Sequence, residues 1–216
     1  MGELRMRPDA SHDLHGNVPD HGPLCLAIID MINEFAFDGA EQLLPAALGA
    51  AERIAALKHR LKGAGVPTIY INDNFGKWQS DFRKLVNRCL EPASPGKAIV
   101  EMLGPGEDDY FVLKPKHSGF FATPLEVLLE FLGTRRLILT GIAGNSCVLY
   151  TAGDAYMRHF QLIVPEDCVA SATAEEHAWA MGHLQAMLKA DVRPSTALTW
   201  STLFPGGLRR TAESAR

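Results

Sequence analysis

At 216 residues, 47% of them hydrophobic, the chain is long enough for one sizeable core and requires no second domain. Its 21 basic and 25 acidic residues leave a net charge of −4. With no basic stripe and no acidic block, this balance argues against nucleic acid or an anionic membrane surface as partner and suits a small-molecule substrate.

In chain order, the first 22 residues, MGELRMRPDASHDLHGNVPDHG, are rich in His, Asp, Pro and Gly and lack the apolar core of a signal peptide. A flexible arm is therefore expected over 1–22, a folded domain over 23–204 and a flexible tail over 205–216. Leu24 to Ile29 is a continuous apolar run closed by Asp30, the pattern of a buried parallel strand that ends at the rim of a sheet. A helix is expected from Pro45 to Lys62, where Leu48, Ala51, Ile54, Ala55, Leu57 and Leu61 recur at helical spacing, with Pro45 in its first turn and Gly63 or Gly65 as the stop. Val66 to Ile71 reads as the second strand.

The long connection from Asn72 to Asp109 has helical pieces expected over 80–89 and 97–103, broken by Pro92, Pro95, Gly104, Pro105 and Gly106. Connections of this length carry function or disorder. Phe35, Asn74, Trp78 and Phe120 are the candidate substrate-binding residues, because aromatic walls with a few polar groups suit a small-molecule pocket; packing into the core is the competing reading for the aromatics. Tyr110 to Leu113 is the third strand and delivers Lys114. His117, soon after, reads as an exposed loop histidine, and Thr123-Pro124-Leu125-Glu126 as a helix start with a Thr N-cap and Pro at the first helical position.

Leu137 to Tyr150, LILTGIAGNSCVLY, is a buried strand, a Gly-broken loop and a cysteine where a helix begins, with Asn145 or Ser146 as N-cap. That placement predicts a stabilised thiolate at Cys147, its pKa lowered by free N–H groups and the helix dipole. QLIVPEDCVAS supplies a fifth strand and a loop, a helix follows over Ala174 to Ala190, and a last strand is expected within Val192 to Trp200. Strands alternating with helices imply a single-domain, doubly wound α/β fold, a mostly parallel sheet of about six strands with helices on both faces. Cys25, Cys89, Cys147 and Cys168 are widely spaced, form no CxxC pair and read as reduced thiols of a cytoplasmic protein.

A carboxylate, an ammonium and a thiol, each at the carboxyl end of a strand, are what an open parallel sheet gathers into one crevice. With CLAIIDMINEF (25–35), YFVLKPKHSGFFATPLEVLL (110–129) and TGIAGNSCV (140–148), the sequence resembles the isochorismatase-like cysteine hydrolases, which include nicotinamidases and N-carbamoylsarcosine amidohydrolases, over roughly 24–171. The resemblance implies a catalytic set of Asp30, Lys114 and Cys147, an oxyanion hole from the N–H groups of Ala143 and Cys147, a cis peptide between Ile142 and Ala143, and a homo-oligomer. Cys147 would attack a carboxamide or ureido carbonyl while Asp30 takes the thiol proton, returns it to the leaving nitrogen and later activates water against the thioester. Nicotinamidases carry an Asp-x-His metal motif after the second strand; here Asp73 is followed by Phe75, so neither a catalytic metal nor another cofactor is expected, and Asp73 reads as a turn or ion-pair residue. A vinyl ether hydrolase or a catalytically silent small-molecule binder are the alternatives.

Overall fold

The computed structural model describes residues 22–76 and 81–205. Nearly all of the expected arm and tail, and the candidate pocket residue Trp78, lie outside those residues. Along the chain run β1 (Leu24–Ile29), α1 (Ala40–Lys62), β2 (Thr68–Asp73), α2 (Phe82–Cys89), α3 (Lys97–Leu103), β3 (Tyr110–Lys114) and α4 (Leu125–Phe131). There follow β4 (Arg136–Ile142), a π-helical turn (Gly144–Val148), α5 (Leu149–Met157), β5 (Gln161–Ile163), β6 (Val169–Ala170), α6 (Ala174–Leu188) and the short α7 (Trp200–Leu203).

The strands form one parallel sheet in the order β3-β2-β1-β4-β5, with β6 laid against the carboxyl end of β4. Both faces of β1 are buried, so its side chains feed two cores. Leu24, Leu26 and Ile28 pack with α1 and α3, and Cys25, Ala27 and Ile29 pack with α4, α5 and α6. That explains the unbroken apolar run, which a strand with one wet face would not show. Among the described residues no helix is long and apolar enough to cross a membrane.

The sequence reading differs from the structure at three element boundaries. The α1 helix starts at Ala40, not at Pro45, because Ala40, Leu43 and Ala47 extend the buried stripe by more than a turn; Pro45 lies inside the helix. The α4 helix starts at Leu125 with Pro124 as N-cap, and the Thr123 hydroxyl accepts from Leu125 N at 3.2 Å without capping a full turn. No strand occurs among 192–200. Pro194 has no N–H to give a ladder, Ser195 spends its N–H and hydroxyl on the Asp167 carboxylate, each at 2.7 Å, and Ser195–Ala197 form a 3-10 turn. The sixth strand is instead Val169–Ala170, within the stretch read as a loop.

Chain order and sheet order diverge between β1 and β4. From β1 the chain winds outward to β2 and β3, then crosses to the other side of β1 to lay down β4. Ligands of open parallel sheets bind outside the carboxyl ends of the strands at such a switch point. Here the two strands press unusually close. Gly141 lies opposite Ile29 at φ +109°, and a Cβ there would stand 2.1 Å from the Ile29 carbonyl oxygen. Gly141→Ala is therefore expected to lower unfolding free energy by at least about 3 kcal/mol, combining backbone strain with a clash against main chain that cannot rotate away. Urea unfolding of the variant beside wild type checks this.

Candidate active site

Asp30 follows β1 directly. Its φ of 53° turns the chain out of the sheet, and it remains only 7% exposed. Its backbone N–H donates to Ile71 O at 2.8 Å, and its Oδ1 accepts from Asp73 N at 2.8 Å, so the end of β2 holds both main chain and carboxylate. Lys114, the last residue of β3, is paired in register with Asp73 and is fully buried. Its Nζ lies 2.8 Å from Asp30 Oδ2, 3.8 Å from Asp73 Oδ2, and donates to Cys147 Sγ at 3.4 Å. The three candidate catalytic side chains thus meet at the switch point.

Cys147 stands within the π-helical turn between β4 and α5, not at the first turn of an α-helix. Ala143 is the N-cap, and neither Asn145 nor Ser146 caps through its side chain. The Ala143 carbonyl accepts from Ser146 N at 3.0 Å and Val148 N at 3.2 Å, and the Ile142–Ala143 peptide is cis. Gly144 lets this turn sit against β6 and its neighbour: a Cβ would come within 2.8 Å of Ser171 Oγ and 2.9 Å of Val169 Cγ1.

The electrostatics reverse one expectation. The Cys147 thiol is not acidified; burial, reinforced by the Asp30 carboxylate, pushes it up to about 12, and Lys114 only partly opposes this. Asp30 is itself held above the usual carboxylate range by burial, with the Lys114 ammonium pulling the other way. Burial alone would drive Lys114 down, but the Asp30 carboxylate, then Cys147 and Asp73, outweigh it and keep the ammonium charged. The resting site is accordingly a neutral thiol beside a buried carboxylate–ammonium pair, with the carboxylate tuned towards accepting a proton.

Of the candidate substrate-binding residues, two are core residues. Phe35 is 4% exposed, packed with the α1-side core and lying against Gly96. Phe120 is 6% exposed, with its ring 6.0 Å from that of Phe160 and the Arg158 guanidinium 4.9 Å from its centroid. Large aromatic side chains bury wherever a layer has room, and spacing alone does not tell a pocket wall from a core. Asn74 does adjoin the site: its N–H donates to Lys114 O at 3.0 Å, and its side chain accepts from Gly76 N. Asp73 is a turn and ion-pair residue, its carboxylate taken up by Phe75 N and Lys114. Its side chain is 40% exposed, with Oδ2 3.8 Å from Lys114 Nζ, and Phe75 stands 44% exposed two positions on. Among the described residues no group of three or more His, Cys, Asp or Glu side chains is placed to hold a metal ion.

The sequence offers His117 as a tempting base but reads it as an exposed loop histidine; it is exposed, and it also adjoins the sulfur. Its Nδ1 lies 3.8 Å from Cys147 Sγ and 3.3 Å from Ser146 Oγ, and its ring stacks on Tyr150 with centroids 5.4 Å apart. Only its place three residues after Lys114, in the loop leaving the same strand end, could have drawn attention to it. A cavity of about 590 Å³ lies apart from this constellation, beside β5 and the amino end of β4, with Arg136, His159, Gln161, Lys189 and Asp191 among its lining.

A family model, the isochorismatase domain, matches residues 24–195. The uncharacterized isochorismatase family protein YaaI of Bacillus subtilis (strain 168) is 42% identical over 167 residues, covering 77% of this chain and 91% of that protein. The ureidoacrylate amidohydrolase RutB of Klebsiella pneumoniae (strain 342) is 36% identical over 110 residues, 51% of this chain and 46% of its own. Among solved structures, an isochorismatase-like hydrolase from Alkaliphilus metalliredigens superposes with a TM-score of 0.66 at 27% identity, covering 81% of this chain and 96% of that one.

The electrostatic arrangement makes a sharp statement about the free protein. Because the folded thiol titrates above the ordinary value of 9.0, the rate of iodoacetamide modification of Cys147 should keep climbing through pH 10 without levelling. Asp30→Asn removes a charge that raises the thiol and should move the profile to lower pH. Peptide-resolved alkylation rates read both effects, and a wild-type plateau below pH 9 would contradict the assignment.

Proposed function

The chain belongs to the isochorismatase family of hydrolases, and we propose that it cleaves a small-molecule C–N bond, in a carboxamide or ureido compound, through a thioester on Cys147. The observation that carries this reading is one buried ammonium shared by an acid and a thiol: Lys114 Nζ is 2.8 Å from Asp30 Oδ2 and 3.4 Å from Cys147 Sγ. The 36% identity over 110 residues with a ureidoacrylate amidohydrolase supports the ureido side of the choice.

The chemistry follows from the resting protonation. Sulfur starts as a thiol, so attack on the carbonyl requires that its proton leave as the C–S bond forms. Asp30 is the neighbouring acceptor, and burial raises its affinity for that proton. Lys114 keeps the site from accumulating negative charge as the proton moves. Asp30 then delivers the proton to the departing nitrogen, which leaves as ammonia or an amine. The developing oxyanion falls to the N–H groups of Ala143 and Cys147, a contribution worth about 2.7–4 kcal/mol per donor where it has been measured. Water finally opens the thioester and releases the acid.

No metal enters this scheme, since Asp73 is committed to Lys114 and to its own turn. A homo-oligomer belongs to the same proposal and is supported by exposed Tyr156, Met157, Trp179 and Met187 on the α5 and α6 layer. A cytoplasmic location is supported by Cys89, Cys147 and Cys168, which stand as thiols.

The test is ammonia or acid release from small carboxamides, ureido acids and chorismate-type ethers by wild type and Cys147→Ser. The variant should melt like wild type yet lose turnover by roughly a thousandfold or more. Undiminished turnover would remove Cys147 from the nucleophile role, and hydrolysis of the ethers alone would remove C–N bonds from the substrate class. Dialysis against EDTA should leave the wild-type rate unchanged; a loss reversed by added zinc would bring a metal into the mechanism.

A further inference from the structure

We infer that His117 is the base for the second half of the reaction, the hydrolysis of the acyl-enzyme, and that Asp30 serves only the first half. This rests on the thioester reading above. The two groups flank the sulfur differently. Asp30 lies on the buried side with both oxygens engaged, Oδ1 by Asp73 N at 2.8 Å and Oδ2 by Lys114 Nζ at 2.8 Å. His117 is exposed and approaches the same sulfur to 3.8 Å through Nδ1. A water that attacks the thioester enters from solvent, after the leaving nitrogen has vacated that side, and so meets the imidazole first.

The hydrogen-bonding geometry prepares the ring for this role. In the tautomer with its hydrogen on Nε2, Nδ1 can accept from Ser146 Oγ at 3.3 Å, while the thiol hydrogen of Cys147, 3.8 Å away, is directed to Asp30. Acylation replaces the thiol hydrogen with the acyl group. That acceptor nitrogen then faces the acylated sulfur. A water within about 3 Å of Nδ1 can stand at attacking distance, about 3–3.5 Å, from a carbonyl carbon bonded to that sulfur. The Tyr150 ring, stacked at 5.4 Å and 28°, fixes the plane of the imidazole.

The step balances without a further reactant. Water gives a proton to Nδ1 as its oxygen bonds to the acyl carbon, and collapse of the tetrahedral adduct breaks the C–S bond. The released thiolate takes the proton back from the imidazolium, so the elements of water are added across the thioester and both Cys147 and His117 return to their neutral forms. His117 touches the attacking water and the leaving sulfur, and is a catalytic residue in that sense.

The probe is p-nitrophenyl acetate, whose leaving group departs without acid assistance. Acylation then appears as a burst of nitrophenolate, and deacylation as loss of the acetyl mass from Cys147. Wild type should release about one equivalent in the burst and clear the adduct. His117→Ala should keep the burst, which also shows that the site is folded, but clear the acetyl-Cys147 adduct about a hundredfold more slowly, within the range general-base catalysis contributes. An adduct that clears from His117→Ala at the wild-type rate overturns the inference and leaves the thioester reading standing. Loss of the burst in His117→Ala alone places the histidine in acylation and overturns its assignment to the second step. Absence of both burst and adduct in wild type overturns the nucleophile reading, and this inference with it.

Discussion

The site depends on a lysine that cannot reach water. Lys114 is fully buried at the end of β3, and a cation so placed is tolerable only beside a compensating charge. Asp30 provides that charge at 2.8 Å from two strands away, with β2 between them. Stripping one member from a buried pair of this kind typically costs roughly 3–5 kcal/mol, because the other is left charged in a medium that does not solvate it. The pair therefore constrains the fold as well as the chemistry. It obliges the ends of β1, β2 and β3 to stay level, and β2 answers with Asp73 N on the Asp30 carboxylate and Asn74 N on the Lys114 carbonyl.

The same constraint explains why the thiol is neutral at rest. A cysteine beside a lone lysine would ionise more easily, but here the positive charge is already matched by a closer carboxylate. A thiolate would place a second anion in the pocket, and burial penalises that further. Reactivity then has to come from moving a proton during attack, and a poised acid–amine pair permits this without any net charge entering or leaving the dry side of the site. Chemistry of that kind is suited to carbonyls that are activated only once bound, and it spares the free protein from indiscriminate alkylation.

What could be read from the sequence was what a strand imposes on its own residues. LCLAII and RLILTGI announce buried parallel strands by composition and YFVLK a strand at the sheet edge, and a polar residue ending such a run stands at the rim, so Asp30 and Lys114 were legible. Gly141 was visible as punctuation, though its reason, the carbonyl of Ile29 pressed against it, belongs to a partner strand more than a hundred residues away. What was illegible was set between elements. Phe35 and Phe120 look alike as pocket or core until the layers are assembled. The π-helical turn at 144–148 carries no capping side chain to mark it. The direction of the Cys147 shift was misjudged because the local pattern, a cysteine entering a helix, gives no account of how deeply the thiol is buried, nor of the carboxylate that β1 brings to it. The nearness of His117 to the sulfur was hidden for the same reason, since the two are 30 positions apart in sequence and only 3.8 Å apart in space.

Seen from the sulfur, the site divides into a dry half and a wet half. Below it Asp30 and Lys114 are fixed by the sheet and nearly sealed; above it Ser146, His117 and Tyr150 stand on the turn, loop and helix that leave the sheet. The dry half has no room to vary, because altering either charge strands the other, and so it can determine only the kind of bond broken. In the proposed reaction, discrimination among carboxamides and ureido compounds would fall to the wet half, whose groups can change without unbalancing a buried ion pair. Under the proposed reaction a substrate would be recognised on the side where the leaving group departs and water arrives, coupling the choice of substrate to the handling of the second proton transfer in the same few side chains.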